Sequence, residues 1–169
     1  MLRNLAFTKP RFRHEVAGYN FRMTGYQAAM GLAQLRKIDH IISEKRRVAQ
    51  TYTRYLQDIP GLQLPVELDW ALNVYWMYAV VVQPKFGLSR DQLVEALWAE
   101  GIETRTFFCP MNQQPCLESL PGFRRIPCPV ADRLWETGLY LPSSWNLPAK
   151  TIKQIADSIR DAVKVRRHR

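Results

Sequence analysis

The sequence contains little cysteine, with three such residues among 169, at Cys109, Cys116 and Cys128. Their spacing includes no CxxC pair and no histidine at ligand distance, so we predict no metal site. An odd number of cysteines fits reduced thiols better than a disulfide framework, and we assign these three residues no role.

The sequence also lacks any apolar run close to the ~20 residues that a membrane-spanning helix requires. Its N-terminal segment, MLRNLAFTKPRFRHE, has no apolar stretch of the kind found in a signal peptide. We therefore expect a cytoplasmic protein with no membrane partner.

Acidic residues are fewer than basic ones, 15 against 24, which gives a net charge of +9. Such an excess is one mark of nucleic-acid binding. Here it is spread over both ends of the chain and one cluster, 45–47, and no recognition motif or aromatic-interleaved basic strand accompanies it. We predict solvated basic faces and no nucleic-acid partner. An anionic small molecule would also suit this surface.

The run Gly18–Asp39 joins a turn rich in hydrogen-bonding groups to the start of an amphipathic helix. Tyr19, Asn20 and Arg22 stand just before Thr24, a residue type that caps helix N-termini well. A helix N-terminus attracts anions, phosphate above all. Two interpretations stay open at this point: a phosphate-bearing ligand near Asn20 and Arg22, or a capped helix with an incidental arginine.

Apolar residues recurring at three- and four-residue intervals predict a long helix from Gly25 to about Asp58, with a possible break near 40–43. Further along the chain we predict three strands, over 74–82, 102–108 and 138–142. A helix capped by Ser89 and ended by Gly101 separates the first two, and a helix around 131–137 precedes the third. A last helix is capped by Asn146 and runs to about Val165. Few strands flanked by helices predict an α/β (α+β) fold.

Four segments in order resemble the C-terminal part of the pyridoxal-phosphate-dependent sugar aminotransferases of the DegT/DnrJ/StrS family: GYNFRMTGYQAAMGLAQL, VYWMYAVVV, GIETRTFFCPMNQQPCL and CPVADRLWETGLYLPS. TRTFF, PMNQQP and VYWMY are most similar to the members that act on GDP-4-keto-6-deoxymannose, the GDP-perosamine synthases. The resemblance implies the small C-terminal domain of a fold-type I aminotransferase. Residues 1–24 would be an edge of the large domain with a turn that reaches the cofactor, 25–58 a connecting helix, and 59–169 the small α/β domain.

The resemblance implies transfer of an amino group from glutamate to a 4-keto-6-deoxy sugar nucleotide, with pyridoxal 5'-phosphate bound across the interface of a homodimer. Asn20 would contact the phosphate of the partner subunit's cofactor, with Arg22 as second choice, and Tyr19 would line the same crossing point. The lysine that binds the cofactor covalently would lie upstream of this chain, so we predict no catalytic residue here. The seven lysines present are expected to be solvated surface residues: Lys9, Lys37, Lys45, Lys85, Lys150, Lys153 and Lys164.

On the substrate side, the resemblance implies roles for Asn112, Arg105 and Tyr75. Asn112 stands where many relatives have histidine; its amide can hydrogen-bond a sugar hydroxyl but cannot act as an acid or base near neutral pH. Arg105 would face the sugar or the nucleotide. Tyr75 and Trp76 are predicted to alternate across one strand, so that at most one of them faces a site.

A non-enzymatic alternative is that the chain is a truncated or split-gene fragment, serving as a dimerising or binding module. Under the enzymatic interpretation, the protein partner would be a second copy or a separate large-domain chain. An isolated fragment should expose apolar surface, with Tyr26, Ala29 and Met30 as candidates, and we predict self-association or poor solubility.

Overall fold

The computed structural model describes Ala6 and residues 15–167, and the chain forms two compact units, Met1–His40 and Ile41–Arg169. Within the predicted segment 1–24, Lys9 and the other residues before Glu15, except Ala6, lie outside the described residues. Within the described ranges, no helix combines the length and the apolar character that crossing a membrane would need.

The predicted long helix is present as two helices, α1 (Gly25–Leu35) and α2 (Ile38–Leu56). Thr24 caps α1 as predicted: its hydroxyl accepts from the backbone N–H of Gln27 at 3.2 Å, and the Gln27 side chain accepts from the Thr24 N–H at 2.9 Å. The interruption falls at 36–37, earlier than the predicted break. None of the α1 residues is buried, and Tyr26 and Met30 are 77% and 56% exposed, as expected for the apolar surface predicted there.

The second unit is built on a four-stranded antiparallel sheet in the order β1-β2-β4-β3. Its strands are β1 (Leu62–Gln63), β2 (Tyr78–Val82), β3 (Arg105–Thr106) and β4 (Gly138–Leu141). Its other helices are α3 (Arg90–Ala99), α4 (Pro115–Glu118), α5 (Pro129–Thr137) and α6 (Ala149–Arg167). Helices flank a small sheet, which confirms the predicted fold class.

One face of the sheet forms the core. Alternate residues of the two central strands are buried there, as expected for an antiparallel sheet with one covered face; they are Tyr78, Val80, Val82, Leu139 and Leu141. Apolar side chains of α2, α3 and α6 belong to the same buried cluster, among them Val48, Tyr52, Leu56, Leu93, Leu97, Ile152 and Ile159. The sheet therefore has one face in the core, and residues at the alternate positions are available to build a site.

Two stacked tyrosines lie at the centre of this core, with ring centroids 4.8 Å apart. The Tyr52 hydroxyl donates to the Pro142 carbonyl at 2.8 Å, and the Tyr78 hydroxyl lies 2.9 Å from that of Thr53. Burial raises the pKa of the Tyr78 hydroxyl to about 12 and raises that of Tyr52 as well, because a charged phenolate would be desolvated there.

Two strand predictions extend too far. β2 begins at Tyr78 rather than Val74, because Tyr75 has φ +48° and leaves the extended conformation. The predicted strand 102–108 is reduced to two residues, Arg105–Thr106.

Asn146 does not begin the last helix, since α6 starts at Ala149, directly after Pro148. By contrast, the capping box of Ser89 and the left-handed Gly101 (φ +74°) are both found.

Candidate functional site

The second unit contains an open cleft of about 760 Å³. It is bounded by α2, by the chain entering β2, by β3 and β4, and by the segment leading into α6; its lining includes Lys45, Trp76, Thr104, Arg105, Tyr140, Ser143 and Trp145. Its volume lies within the usual range of small-molecule sites, about 300–1,000 Å³.

The strand register places Arg105 and Tyr140 together. They are direct partners across β3 and β4, and Tyr140 is also opposite Ala79 of β2. Side chains of directly opposite residues lie on the same face of a sheet. Leu139 and Leu141, which flank Tyr140, are buried in the core. Arg105 and Tyr140 therefore face away from the core and into the cleft.

Tyr140 is the centre of an aromatic cluster. Its ring stacks on Phe107 with centroids 4.7 Å apart, lies 6.2 Å from Phe108, and meets Trp76 edge-to-face at 6.4 Å. Phe108 and Trp76 are 72% and 66% exposed. The cluster presents aromatic surface outward instead of filling the core.

Lys45 connects two segments at the edge of the cleft. Its Nζ donates to the Trp76 carbonyl at 2.8 Å and to the Ser143 carbonyl at 2.6 Å. Partial burial lowers the pKa of this ammonium group, because desolvation disfavours its charged form. The expectation of a solvated surface lysine is wrong for Lys45, since α2 packs against both segments.

The other described lysines are exposed as predicted, namely Lys37, Lys85, Lys150, Lys153 and Lys164.

A second polar network lies just before β2 and is centred on Glu67. This carboxylate accepts from the Arg46 guanidinium at 2.6 and 3.2 Å, from the Asn73 backbone N–H at 2.8 Å and from the Tyr75 hydroxyl at 3.3 Å. The hydrogen bond from Arg46 holds the pKa of Glu67 below its usual range. Tyr75 is therefore directed to Glu67, and its neighbour Trp76 lines the cleft. The premise that both belong to one strand is wrong.

The three predicted substrate residues are not brought together. Arg105 lines the cleft, and its side chain makes no hydrogen bond or ion pair within the described part of the chain. Asn112 lies in the 3₁₀ turn Met111–Gln113, and its Nδ2 donates to the Ile126 carbonyl at 2.8 Å, which ties two parts of one loop together. Tyr75 donates to Glu67, as described above.

The three predicted cofactor residues lie in the first unit. Arg22 Nε donates weakly to Asn20 Oδ1 at 3.5 Å, and the Tyr19 ring stacks on Phe21 with centroids 5.1 Å apart. All three predicted residues are exposed. The structure brings Asn20 and Arg22 together just ahead of the N-terminus of α1.

Several residues of the cleft were not predicted as site residues, among them Trp76, Lys45, Thr104 and Tyr140. Trp76 was considered only as the alternative to Tyr75 on one strand, and Lys45 follows the helical pattern of exposed positions. The Thr104 hydroxyl oxygen is buried with no hydrogen-bond partner among the described residues. A pattern within one segment cannot identify these residues, because the place of each in the cleft depends on its packing against a segment distant in sequence.

Comparison with known proteins gives a consistent result. Residues 1–160 match the DegT/DnrJ/EryC1/StrS aminotransferase family. The GDP-perosamine synthase of Vibrio cholerae is 32% identical over 151 residues, 89% of this chain and 40% of that protein. The corresponding enzyme of Escherichia coli O157:H7 is 32% identical, over 89% and 39%.

Solved structures match as well. DesI, crystallised in the presence of its TDP-sugar product, is 30% identical with a TM-score of 0.77, over 99% of this chain and 43% of that one. Helicobacter pylori PseC, an aminotransferase of pseudaminic acid biosynthesis, has a TM-score of 0.81 at 24% identity, over 97% and 44%, and this match shows the fold alone. The chain spans about 40% of the length of the curated relatives that it matches. With its residues 1–160 matched by one family and its fold shared with solved members, this chain belongs to the DegT/DnrJ/EryC1/StrS aminotransferase family.

Proposed function

We propose that the chain is the small-domain part of a nucleotide-sugar aminotransferase of the GDP-perosamine synthase type. The reaction would move an amino group from glutamate to a 4-keto-6-deoxy sugar nucleotide in the cytoplasm, for polysaccharide (O-antigen) biosynthesis. The observation that carries this proposal is the 32% identity to GDP-perosamine synthases across 89% of the chain. Because these residues match only about 40% of such an enzyme, we assign the activity to their assembly with a large domain.

The residues ahead of α1 fit the anionic end of pyridoxal 5'-phosphate. Arg22 supplies a guanidinium, Asn20 an amide, and both are exposed beside the N-terminus of an 11-residue helix. Such an end favours negative charge. We propose that Asn20 and Arg22 hold the phosphate across a homodimer interface, with Tyr19 beside them. When bound, this cofactor supplies an electron sink for carbanion chemistry.

Lys45 is not assigned a covalent role toward the cofactor. Its Nζ donates to two backbone carbonyls, those of Trp76 and Ser143, and these contacts hold the group at the edge of the cleft. Lys45 instead keeps the walls of the cleft in place.

On the substrate side, Arg105 is the residue best placed to bind an anion, because its guanidinium lines the cleft without a partner in the described ranges. We propose that it contacts the phosphate groups of the sugar nucleotide. Asn112 would contact the substrate through its amide oxygen, since its Nδ2 is bonded to Ile126. Tyr75 would do so through its ring, since its hydroxyl donates to Glu67.

The test combines the purified chain with the large domain of a GDP-perosamine synthase, pyridoxal phosphate, glutamate and GDP-4-keto-6-deoxymannose. We expect an absorbance near the edge of the visible range and formation of 2-oxoglutarate. Arg22→Ala should weaken cofactor binding about tenfold, as expected for loss of a charged hydrogen bond. Arg36→Ala, which removes another exposed arginine at the other end of α1, should not.

A mixture that stays colourless and forms no 2-oxoglutarate would favour the second candidate, a non-catalytic dimerising or binding module. That candidate is supported by α1, on which apolar Tyr26 and Met30 are exposed. It predicts concentration-dependent self-association in sedimentation experiments, with or without cofactor.

A further inference from the structure

Trp76 combines an exposed side chain with a backbone carbonyl that Lys45 holds in place. The residue is 66% exposed and lines the cleft. Its carbonyl accepts from Lys45, which also donates to the Ser143 carbonyl. An exposed tryptophan with a fixed backbone provides rigid apolar area for binding at low entropic cost.

The segment preceding Trp76 is held in an uncommon conformation. Tyr75 has φ +48°, in the left-handed region that residues with a side chain seldom adopt. Glu67 and Asn73 hold Tyr75 there, through its hydroxyl at 3.3 Å and its backbone N–H at 2.8 Å. Strained backbone of this kind persists where the surroundings enforce it, and it concentrates at binding sites. The conformation turns Trp76 into the cleft and Tyr75 toward Glu67.

Beside the indole, the cleft offers a second ring and an unpaired cation. Tyr140 meets Trp76 edge-to-face at 6.4 Å. Arg105 is the direct partner of Tyr140 across the strands, and its guanidinium has no polar partner within the described part of the chain. A platform of aromatic faces next to a free guanidinium suits a ligand that has both a flat ring and a negative charge.

We propose that Trp76 is a nucleotide-binding residue, which stacks on the base of the sugar nucleotide while Arg105 contacts its diphosphate. This inference rests on the proposed function and adds a residue and an orientation to it. Stacking tolerates different bases, because every base has a π-face. The relatives named above use both a purine and a pyrimidine nucleotide, GDP and TDP.

The experiment measures binding to the full 169-residue chain, by ligand-observed NMR titration with GDP, guanosine and inorganic pyrophosphate as separate probes. Trp76→Ala should weaken GDP and guanosine binding about tenfold, the loss typical of one base–aromatic stack, and leave pyrophosphate binding unchanged. Trp76→Phe should restore binding to within about threefold, since a smaller ring still stacks. Arg105→Gln should abolish pyrophosphate binding and the preference for GDP over guanosine.

The matched control is Trp98→Ala on α3, which removes an indole that is 68% exposed and lies outside the cleft; it should bind all three probes as the unsubstituted chain does. Equal GDP affinity of Trp76→Ala and the unsubstituted chain, or no GDP binding at all, would overturn the inference. If the assembled enzyme aminates its substrate but Trp76→Ala binds GDP with unchanged affinity, the stacking role of Trp76 is refuted and the proposed function stands. Trp76-dependent GDP binding without amination would refute the proposed function and leave the platform standing.

Discussion

Replacing Thr104 by valine should stabilise the folded chain, which is the reverse of the usual effect of a substitution in a partly buried wall. The hydroxyl oxygen of Thr104 is buried and has no hydrogen-bond partner among the described residues. Valine has nearly the same shape without that oxygen. A buried unsatisfied polar group costs about 1–3 kcal/mol, so we expect the free energy of unfolding to rise by an amount in this range.

For a chain of this size, 1 kcal/mol corresponds to about 2–4 °C in Tm. The measurement is urea unfolding followed by circular dichroism, with calorimetry as a second readout. The matched control is Thr106→Val, the same change two positions along at an exposed site of β3, where we expect a change within about 0.5 kcal/mol. If Thr104→Val is no more stable than the unsubstituted chain, or gains only as much as Thr106→Val, the reasoning is wrong.

Three further predictions concern the second unit. Gly61→Ala should lower the free energy of unfolding by at least about 2 kcal/mol, because its φ of +76° disfavours a side chain and a Cβ there would collide with backbone atoms. Gly101→Ala, at φ +74° with open space around it, should lower it by only about 1 kcal/mol. Paired urea unfolding curves measure the difference. Tyr52→Phe should lower stability by about 1 kcal/mol, since it leaves the partly buried Pro142 carbonyl without its donor; an unchanged midpoint of unfolding would count against this. Arg46 lowers the pKa of Glu67 in the folded chain. The stability that ionised Glu67 contributes is therefore fully present above the ordinary glutamate pKa, and it is lost as the pH falls through the lowered pKa of the folded chain. The stability difference between the unsubstituted chain and Glu67→Gln should therefore shrink between about pH 6 and pH 3, and a pH-independent difference would contradict it.

Elements with local signals were predicted closely. The caps at Thr24 and Ser89 and the left-handed Gly101 depend on residues within a few positions of one another, so a single sequence contains the whole signal. The two-residue strand β1 was missed because its existence depends on pairing with β2, which is distant in sequence. The strand predicted over 74–82 was too long, because its apolar residues continue into a segment that the Glu67 network bends away from the sheet.

The sequence by itself determined the fold class, the family through four motifs in order, and the proximity of Asn20 and Arg22, which follows from their spacing of two. Tertiary structure alone decided how the cleft is built. Lys45 binds carbonyls 31 and 98 positions away, and Arg105 meets Tyr140 only through strand register. The physical reason is that a helical or strand pattern reports which face of a segment is apolar. The partner of a polar group is set by how the chain brings distant segments together, and that choice turned Tyr75 toward Glu67 and Trp76 into the cleft.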